Sequence, residues 1–225
     1  MGELPRANRG EVTRGELDRR DAGRSLVDRG ALIRAERVEK RYGRKRALRP
    51  TDVDLERGGF LVVTGANGSG KTTLLRLLAG LAAPSRGTLE VRADRAVLGY
   101  LGHEGFIYRD LTAIENLDLY SRLYRVSERR ERIGMLLERF GLWDARGERA
   151  GAYSRGMLQR LALCRTLLHE PELLILDEPF TALDDEGAGL LDSQLAELHG
   201  GRTIVLSTHD PDRVARLATT SLVLG

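Results

Sequence analysis

From residue 31 onward, apolar and polar positions alternate in patterns that predict short strands and helices in turn. Strand-like runs are predicted at residues 31–38, 48–55, 60–64, 88–91, 96–100, 173–176 and 203–207. Helical periods are predicted at residues 71–81, within 112–142, at 154–168 and at 185–198. Because these helices alternate with continuously apolar strands, we predict an α/β fold whose mostly parallel sheet is covered on both faces.

The first 30 residues differ from the rest of the chain in composition. They contain 7 Arg and 6 Asp or Glu but only 8 apolar residues, and no strand or helix period persists in them. Such a segment buries too little apolar surface to fold by itself. We therefore predict a disordered N-terminal extension over residues 1–30 and one domain over residues 31–225. The alternative is an arginine-rich segment that becomes ordered on a partner.

Composition and charge narrow the class of protein. The 225 residues carry 36 Lys or Arg and 33 Asp or Glu, a net charge of +3, which argues against a nucleic-acid-binding protein. Cys164 is the single cysteine, which excludes a disulfide framework and a multi-cysteine metal site. No run reaches the roughly 18 apolar residues of a membrane span, and the N-terminus lacks the apolar stretch of a secretory signal. We therefore expect a cytoplasmic location.

A phosphate-binding motif lies between the third strand and the first helix. Residues 65–72 read Gly-Ala-Asn-Gly-Ser-Gly-Lys-Thr and match the pattern G-x-x-x-x-G-K-[ST] in its required strand-to-helix position. Its glycines turn backbone N–H groups toward phosphate oxygens, and the helix N-terminus adds positive potential. We predict that Lys71 reaches the β- and γ-phosphates of a nucleotide and that Thr72 binds Mg²⁺. The residues predicted to bind the nucleotide here are Gly65, Asn67, Gly68, Ser69, Gly70, Lys71, Thr72 and Thr73.

Two carboxylates follow the apolar strand at residues 173–176. Asp177 and Glu178 emerge at the C-terminal end of this strand, which is the edge of a parallel sheet where ligands bind. We predict that Asp177 holds Mg²⁺ and that Glu178 is the catalytic residue that polarises the attacking water. Two adjacent acids also occur as a solvent-exposed helix cap, but the phosphate-binding motif favours the catalytic interpretation.

Further motifs give the chain a family resemblance. Residues 153–160, Tyr-Ser-Arg-Gly-Met-Leu-Gln-Arg, resemble the signature of ATP-binding cassette (ABC) ATPases. Residues 180–184 resemble the D-loop of that family, residues 207–210 its switch-histidine segment, and Tyr42 its adenine-stacking aromatic residue. These motifs follow one another in the family's order over residues 31 to about 220. The chain is therefore similar to the nucleotide-binding domain of ABC transporters.

The resemblance implies a P-loop NTPase fold with an antiparallel β subdomain and an α-helical subdomain at about residues 105–157. It also implies ATP and Mg²⁺ as cofactors, and hydrolysis of ATP to ADP and phosphate. Two domains of this family pair head to tail, which implies a homodimer here, with Ser154 and Gly156 of one copy expected to bind the γ-phosphate held by the other. The resemblance further implies that Asp184 links the two sites across the dimer.

The catalytic residues implied by the resemblance are Lys71, Glu178 and His209. His209 is expected to contact the γ-phosphate and the attacking water, whereas by itself a histidine after a strand is most often a surface residue.

Three positions depart from the family's usual pattern. Arg155 stands where the signature has a glycine, so a backbone shape that requires a positive φ there would be strained. Met157 replaces a glutamine and removes an amide contact. Glu104 occupies the position of the Q-loop glutamine, where it is expected to contact the nucleotide and the metal-bound water while adding negative charge near phosphate.

The same departures point to a subfamily. Tyr-Leu-Gly-His at residues 100–103, together with Ser-Arg-Gly-Met at 154–157, resembles the ATP-binding subunits of the haem exporters of cytochrome c maturation, the CcmA-like proteins. This resemblance implies an integral membrane partner of the CcmB type and a peripheral position on the cytoplasmic face of the cell membrane. It leaves open whether haem itself is moved or a haem-carrying chaperone is released.

Residues 34–49 form a basic stretch with eight Lys or Arg against Glu36 and Glu39. We interpret its arginines as solvated side chains that flank a nucleotide pocket near Tyr42. A membrane-surface or nucleic-acid patch is the alternative.

For the whole chain, the leading hypothesis is the ATPase subunit of an ABC transporter, of the haem-exporter type or for another substrate. A soluble ABC protein that acts on nucleic acid or ribosomes is a competing class, and we expect no nucleic-acid partner. A nucleotide-binding regulatory module without turnover is a third class.

Overall fold

In the computed structural model, the described part of the chain comprises residues 31–94, 97–103 and 105–225. The predicted N-terminal extension, residues 1–30, and the Q-loop position Glu104 therefore lie outside the described residues. Within those ranges, no helix combines the length and the apolar character needed to cross a membrane.

The strands and helices follow one another in the predicted order. The strands are β1 (Ala31–Tyr42), β2 (Lys45–Glu56), β3 (Phe60–Gly65), β4 (Arg86–Val91), β5 (Leu98–Leu101), β6 (Leu173–Asp177), β7 (Thr203–Ser207) and β8 (Thr220–Leu224). The helices are α1 (Lys71–Leu78), α2 (Ala113–Leu123), α3 (Arg129–Arg139), α4 (Arg155–Leu167) and α5 (Asp185–Leu198). Two short 3-10 turns, Ala150–Ala152 and Asp212–Val214, precede α4 and β8.

Five of the strands form a parallel sheet in the order β5-β6-β7-β3-β8. Every residue of β6 and β7 is buried. Alternate side chains of β6 point to opposite faces, because Leu174 and Leu176 pack into one hydrophobic cluster and Leu173 and Ile175 into another. Burial on both faces confirms the predicted α/β fold with a covered parallel sheet.

Different elements cover the two faces of this sheet. One cluster contains Leu117 of α2, Leu137 of α3, Leu163 of α4 and Leu191 of α5, so helices form that layer. The other cluster packs α1 and a three-stranded antiparallel sheet, of order β2-β1-β4, against the opposite face. The phosphate-binding loop, the two acids and His209, described below, lie at or just after the C-terminal ends of β3, β6 and β7.

Helix α2 begins at a capping box formed by Thr112 and Glu115. The N–H of Glu115 donates to Thr112 Oγ1 at 3.2 Å, and the N–H of Thr112 donates to Glu115 Oε2 at 2.8 Å. The boundary of a separate helical subdomain at about residues 105–157 stays a prediction.

The structure differs from the sequence predictions at the ends of elements. The helix predicted to reach residue 81 ends at Leu78, and Gly80 follows it with a left-handed φ of 68°. Strand β8 was not predicted, yet it pairs in parallel with β3. Its apolar run is limited to residues 222–224, and it lies at the edge of the sheet with three of its five residues exposed.

Candidate functional site

The glycine-rich loop connects the C-terminal end of β3 to the first turn of α1. Gly65 has a φ of 143° and Gly70 a φ of 108°. A Cβ at Gly65 would lie 2.4 Å from the carbonyl oxygen of Leu224, and one at Gly70 would lie 2.6 Å from that of Ala47. Both positions therefore require glycine for conformation and for close backbone approach.

The side chain of Lys71 turns back over the loop that precedes it. Lys71 is buried, and its Nζ donates to the carbonyl oxygen of Gly65 at 2.8 Å. The same Nζ lies 3.5 Å from Glu178 Oε1. Of the other predicted loop residues, Thr72, Thr73 and Ser69 are half-buried, and Asn67 and Gly68 are exposed.

Asp177 and Glu178 lie near this loop because only β7 separates β6 from β3. Asp177, the last residue of β6, is paired with Ser207, the last residue of β7. Ser207 Oγ donates to Asp177 Oδ1 at 2.6 Å and accepts from the N–H of Glu178 at 2.9 Å. One hydroxyl thus positions both acids.

Ser207 was not among the site residues predicted from the sequence. The signal available for it was its place at the end of a buried strand, two residues before His209. That signal does not distinguish a serine that contacts the acids from one that only ends the strand.

Glu178 is the residue at which the charged groups converge. Its backbone is left-handed, with a φ of 50°, a conformation that a non-glycine residue keeps only when its surroundings hold it. Its buried Oε1 lies 3.0 Å from His209 Nε2 and 3.5 Å from Lys71 Nζ. The side chain of His209 is 56% exposed and that of Glu178 19%, so the histidine lies on the solvent side. Of the three residues predicted as catalytic, Lys71 and His209 therefore each lie within contact distance of Glu178.

Asp177 keeps one oxygen available for a cation. Its Oδ1 takes the hydrogen bond from Ser207, whereas its buried Oδ2 has no hydrogen-bond partner among the described residues. Within the same ranges, no group of three or more His, Cys, Asp or Glu could hold a metal. One carboxylate with substrate phosphates is a ligand set that Mg²⁺ commonly takes. The residues present thus fit Mg²⁺ together with a nucleotide.

The signature and D-loop residues form a second group, packed against each other. Ser154 and Asp184 cap α4 and α5 by accepting hydrogen bonds from the N–H groups three residues later, at 3.2 and 2.9 Å. A Cβ at Gly156 would lie 3.1 Å from the carbonyl oxygen of Ala182. In the part of the chain that the structure describes, no hydrogen bond or ion pair joins Ser154, Gly156 or Asp184 to the phosphate-binding loop.

The departures in the signature are accommodated locally. Arg155 is the first residue of α4 and does not have a positive φ, so an arginine in place of glycine causes no backbone strain there. Met157 packs against the helical hydrophobic cluster. Gln159 Nε2 donates to the carbonyl oxygen of Pro179 at 3.0 Å and connects α4 to the segment that follows Glu178.

Tyr42 lies at the end of β1 and is 52% exposed, with Lys40 Nζ 5.0 Å from the centre of its ring. It lines a cavity together with Arg76 and Phe106, whereas Gly68 of the phosphate-binding loop lines a separate cavity. The structure does not place Tyr42 and the loop in one cavity, so its stacking on adenine stays a prediction.

A cavity of about 440 Å³ opens beside the two acids, and Asp177 and Glu178 line it together with Arg109 and Arg155. In the nearby strand β5, burial raises the pKa of the Tyr100 hydroxyl and the charge of Asp177 adds to that rise, against a hydrogen bond to Arg76. The cavity thus combines carboxylates and guanidinium groups, a lining suited to a polar, charged ligand.

Known proteins resemble this chain in sequence and in fold. The chain matches the protein family described as ABC transporter over residues 48–181. It is 40% identical over 198 residues to the daunorubicin resistance ATP-binding protein DrrA3 of Streptomyces coeruleorubidus, covering 83% of this chain and 63% of that protein. It is 39% identical to the ABC transporter ATP-binding protein YxlF of Bacillus subtilis, over 79% of this chain and 62% of that protein.

A third relative and two solved structures extend these matches. The ABC transporter ATP-binding protein NatA of Bacillus subtilis is 34% identical, over 80% of this chain and 78% of that protein. The solved ATP-binding subunit of an ABC transporter has a TM-score of 0.78 at 27% identity, over 86% and 85% of the two chains. An ATP-binding cassette solved as a dimer in a post-hydrolysis state, bound to ADP and Pi, has a TM-score of 0.73 at 26% identity, over 85% and 94% of the two chains. The chain spans less than two thirds of the lengths of YxlF and DrrA3.

Proposed function

The chain belongs to the ABC transporter family, and on that premise we propose that it is the ATP-binding and ATP-hydrolysing subunit of a transporter complex. In this proposal, hydrolysis drives a conformational change in a separate membrane subunit. The observation that carries it is the convergence of Lys71, Glu178 and His209 beside the phosphate-binding loop. A module that only binds nucleotide needs the loop and the lysine, but not a carboxylate held within reach of a water. The position of Glu178 therefore favours hydrolysis over binding without turnover.

Each of these residues has a part in the proposed reaction. The loop N–H groups and Lys71 hold the β- and γ-phosphates. Glu178 accepts a proton from a water whose oxygen bonds to the γ-phosphorus, while the bond from that phosphorus to the β–γ bridging oxygen breaks. ADP leaves with the bridging oxygen, and the phosphate carries the oxygen of the water. His209, in contact with Glu178, orients that carboxylate and contacts the γ-phosphate.

Asp177 and Thr72 are the residues that we propose to hold Mg²⁺, with Glu104 as a further predicted contact. The hydrogen bond from Ser207 occupies Oδ1 of Asp177 and leaves Oδ2 as the available ligand, which supports this assignment. When bound, Mg²⁺ neutralises charge on the phosphate oxygens.

We propose that a second copy of the chain completes the site, head to tail. Ser154 and Gly156 then contact the γ-phosphate held by the other copy, and Asp184 links the two sites. Two observations support this arrangement. The first N–H groups of α4 have no acceptor within that helix, as at any helix N-terminus, and they suit an anion. The similar ATP-binding cassette bound to ADP and Pi was solved as a dimer.

The other proposed partner is an integral membrane subunit, with this chain peripheral on the cytoplasmic face of the membrane. Family membership supports this pairing. We expect no nucleic-acid partner.

Two candidate cargoes have specific support. Residues 100–103 and 154–157 resemble the haem exporters of cytochrome c maturation, which would make the membrane partner CcmB-like. The 40% identity to a daunorubicin resistance protein supports export of a drug-like compound and extends over most of the chain, so it favours the second candidate. Stimulation of the ATPase of the assembled complex by daunorubicin or by haem, compared side by side, distinguishes the two.

The proposed hydrolysis is tested by Glu178→Gln, which keeps the size of the side chain but removes the base. We expect the kcat for MgATP to fall roughly 10²–10⁴-fold, while MgATP binding is retained. Glu172→Gln is the matched control, because Glu172 precedes β6 and pairs with Arg57 at 3.1 Å on the surface. If Glu178→Gln releases phosphate from MgATP at the wild-type rate, Glu178 is not the base.

A further inference from the structure

Two arginines face each other across the β1–β2 hairpin, next to the phosphate-binding loop. Arg41 of β1 is the cross-strand partner of Arg46 of β2. Both bind the same oxygen, Glu39 Oε1, with Arg41 Nη1 at 3.1 Å and Arg46 Nε at 3.3 Å. The side chain of Glu39 is 5% exposed, whereas those of Arg41 and Arg46 are 40% and 49% exposed. A buried carboxylate thus anchors two guanidinium groups that remain open to solvent.

The charge of this cluster is not balanced by its own residues. Like charges directly opposite each other on neighbouring strands destabilise a hairpin. The single carboxylate of Glu39 offsets one of the two positive charges and leaves the other. A guanidinium presents several N–H donors in a planar fork, so each arginine can keep its contact with Glu39 and still donate to an anion.

The arginine pair opens onto a cavity that it shares with the loop. This cavity, of about 420 Å³, is lined by Arg41, Arg46 and Arg49 together with Gly68 and Ser69. Gly68 and Ser69 belong to the loop whose backbone N–H groups cradle the α- and β-phosphates in this class of motif. Phosphate groups held by the loop therefore lie beside the cavity into which the arginines project.

We propose that Arg41 and Arg46 bind the α- and β-phosphates of the nucleotide, and that Glu39 is a positioning residue that holds both guanidinium groups. This inference rests on the proposed function, because it requires a nucleotide at the loop. Within the basic stretch of residues 34–49, it assigns to Arg41 and Arg46 a direct part in nucleotide binding, beyond that of solvated arginines around a pocket.

The binding role is tested by isothermal titration calorimetry of MgATP and MgADP with Arg41→Ala and Arg46→Ala. Each substitution is expected to raise the Kd roughly tenfold, the size of one lost charge-assisted contact. The factor should be the same for both nucleotides, because both carry the α- and β-phosphates. Arg34→Ala is the matched control, since Arg34 lies on the same strand but pairs with Asp54 at 3.6 Å on the surface. We expect its Kd values to match those of the wild type.

The positioning role of Glu39 is tested with Glu39→Gln. We expect the Kd values for MgATP and MgADP to rise measurably, but less than in the single arginine variants. Thermal melting is used to confirm that the variant is folded. Because Glu39 acts through the arginines, adding Glu39→Gln to the Arg41→Ala, Arg46→Ala double variant should raise the Kd no further. An additional rise of the same factor as in the single variant would overturn the positioning role.

Unchanged Kd values for both nucleotides in Arg41→Ala and Arg46→Ala overturn the inference. If those variants instead lose binding to phosphatidylserine vesicles, the basic stretch serves a membrane surface. Lys71→Ala separates this failure from failure of the proposed function. If Lys71→Ala weakens MgATP binding and the arginine variants do not, only this inference fails; if Lys71→Ala binds MgATP like the wild type, the proposed site itself is wrong.

Discussion

At the scale of single residues, one hydroxyl at the end of β7 determines where both acids lie. Ser207 Oγ contacts Oδ1 of Asp177 and the backbone N–H of Glu178. The first contact leaves Oδ2 of Asp177 as the oxygen available to a cation, and the second helps to hold Glu178 in its left-handed conformation. The metal-binding and catalytic roles proposed for the two acids therefore depend on the same side chain.

Ser207→Ala is expected to affect both roles at once. We expect the kcat for MgATP to fall roughly 10–100-fold and the Mg²⁺ concentration for half-maximal activity to rise, as for residues that orient a metal ligand. The free energy of unfolding should fall by about 1–3 kcal/mol, because a buried carboxylate oxygen loses its donor. Ser193→Ala, on the exposed surface of α5, is the control and should change none of these three quantities. A wild-type Mg²⁺ dependence in Ser207→Ala would contradict the account.

The sequence identifies some site residues and not others for a physical reason. Lys71 and Glu178 belong to local motifs whose chemistry follows from neighbouring residues. Ser207 acts on an acid 30 residues earlier, and that contact exists only through the register of β6 against β7. Glu39 likewise depends on the register of β1 against β2. Such contacts become visible only when the strands are paired.

At the scale of elements, His169 connects the segment after α4 to the parallel sheet through a hydrogen bond. Its Nε2–H donates to the carbonyl oxygen of Leu98 at 3.1 Å, and its ring stacks on Tyr124 with 4.1 Å between the ring centres. Burial lowers the pKa of His169, and the charge of Arg165 contributes in the same direction, against the hydrogen bond to Leu98. The folded state therefore holds this histidine neutral to lower pH than the unfolded state does.

This difference predicts how stability depends on pH. Where the unfolded state binds the proton and the folded state does not, stability rises with pH. The contribution of His169 is fully present above its unfolded pKa of 6.5 and is lost as the pH falls through the lowered folded pKa. His169→Gln should therefore show a smaller loss of stability than the wild type between pH 7.5 and pH 5, measured by urea unfolding. His199→Gln, at an exposed histidine, should follow the wild-type curve; equal slopes in all three proteins would contradict the prediction.

Element order was predictable from the sequence, whereas some element ends were not. Residues 173–176 and 204–206 are continuously apolar because both faces of these strands are buried. β8 lies at the edge of the sheet, so pairing with β3 stabilises it while its side chains remain mostly exposed. A hydrophobic pattern along the sequence indicates burial. It therefore gives little sign of an edge strand that is stabilised mainly by backbone pairing.

At the scale of the whole molecule, the functional residues form two groups within one chain. Lys71, Glu178 and His209 converge at the phosphate-binding loop. Ser154 and Asp184 cap two helices, and among the described residues no hydrogen bond or ion pair joins them to that loop. In the proposed dimer, a second copy brings Ser154 to the loop, so that the two groups act in one reaction.

The most direct test of this account is to mix two variants that we expect to be inactive, Lys71→Ala and Ser154→Ala, and to measure phosphate release from MgATP. In a head-to-tail pair made of one variant of each kind, one site combines the intact loop of one copy with the intact Ser154 of the other. Random pairing makes half of the dimers mixed, so the account predicts recovery of up to about a quarter of the wild-type rate. A mixture that is no more active than the average of the two variants would contradict the claim that two copies share each site.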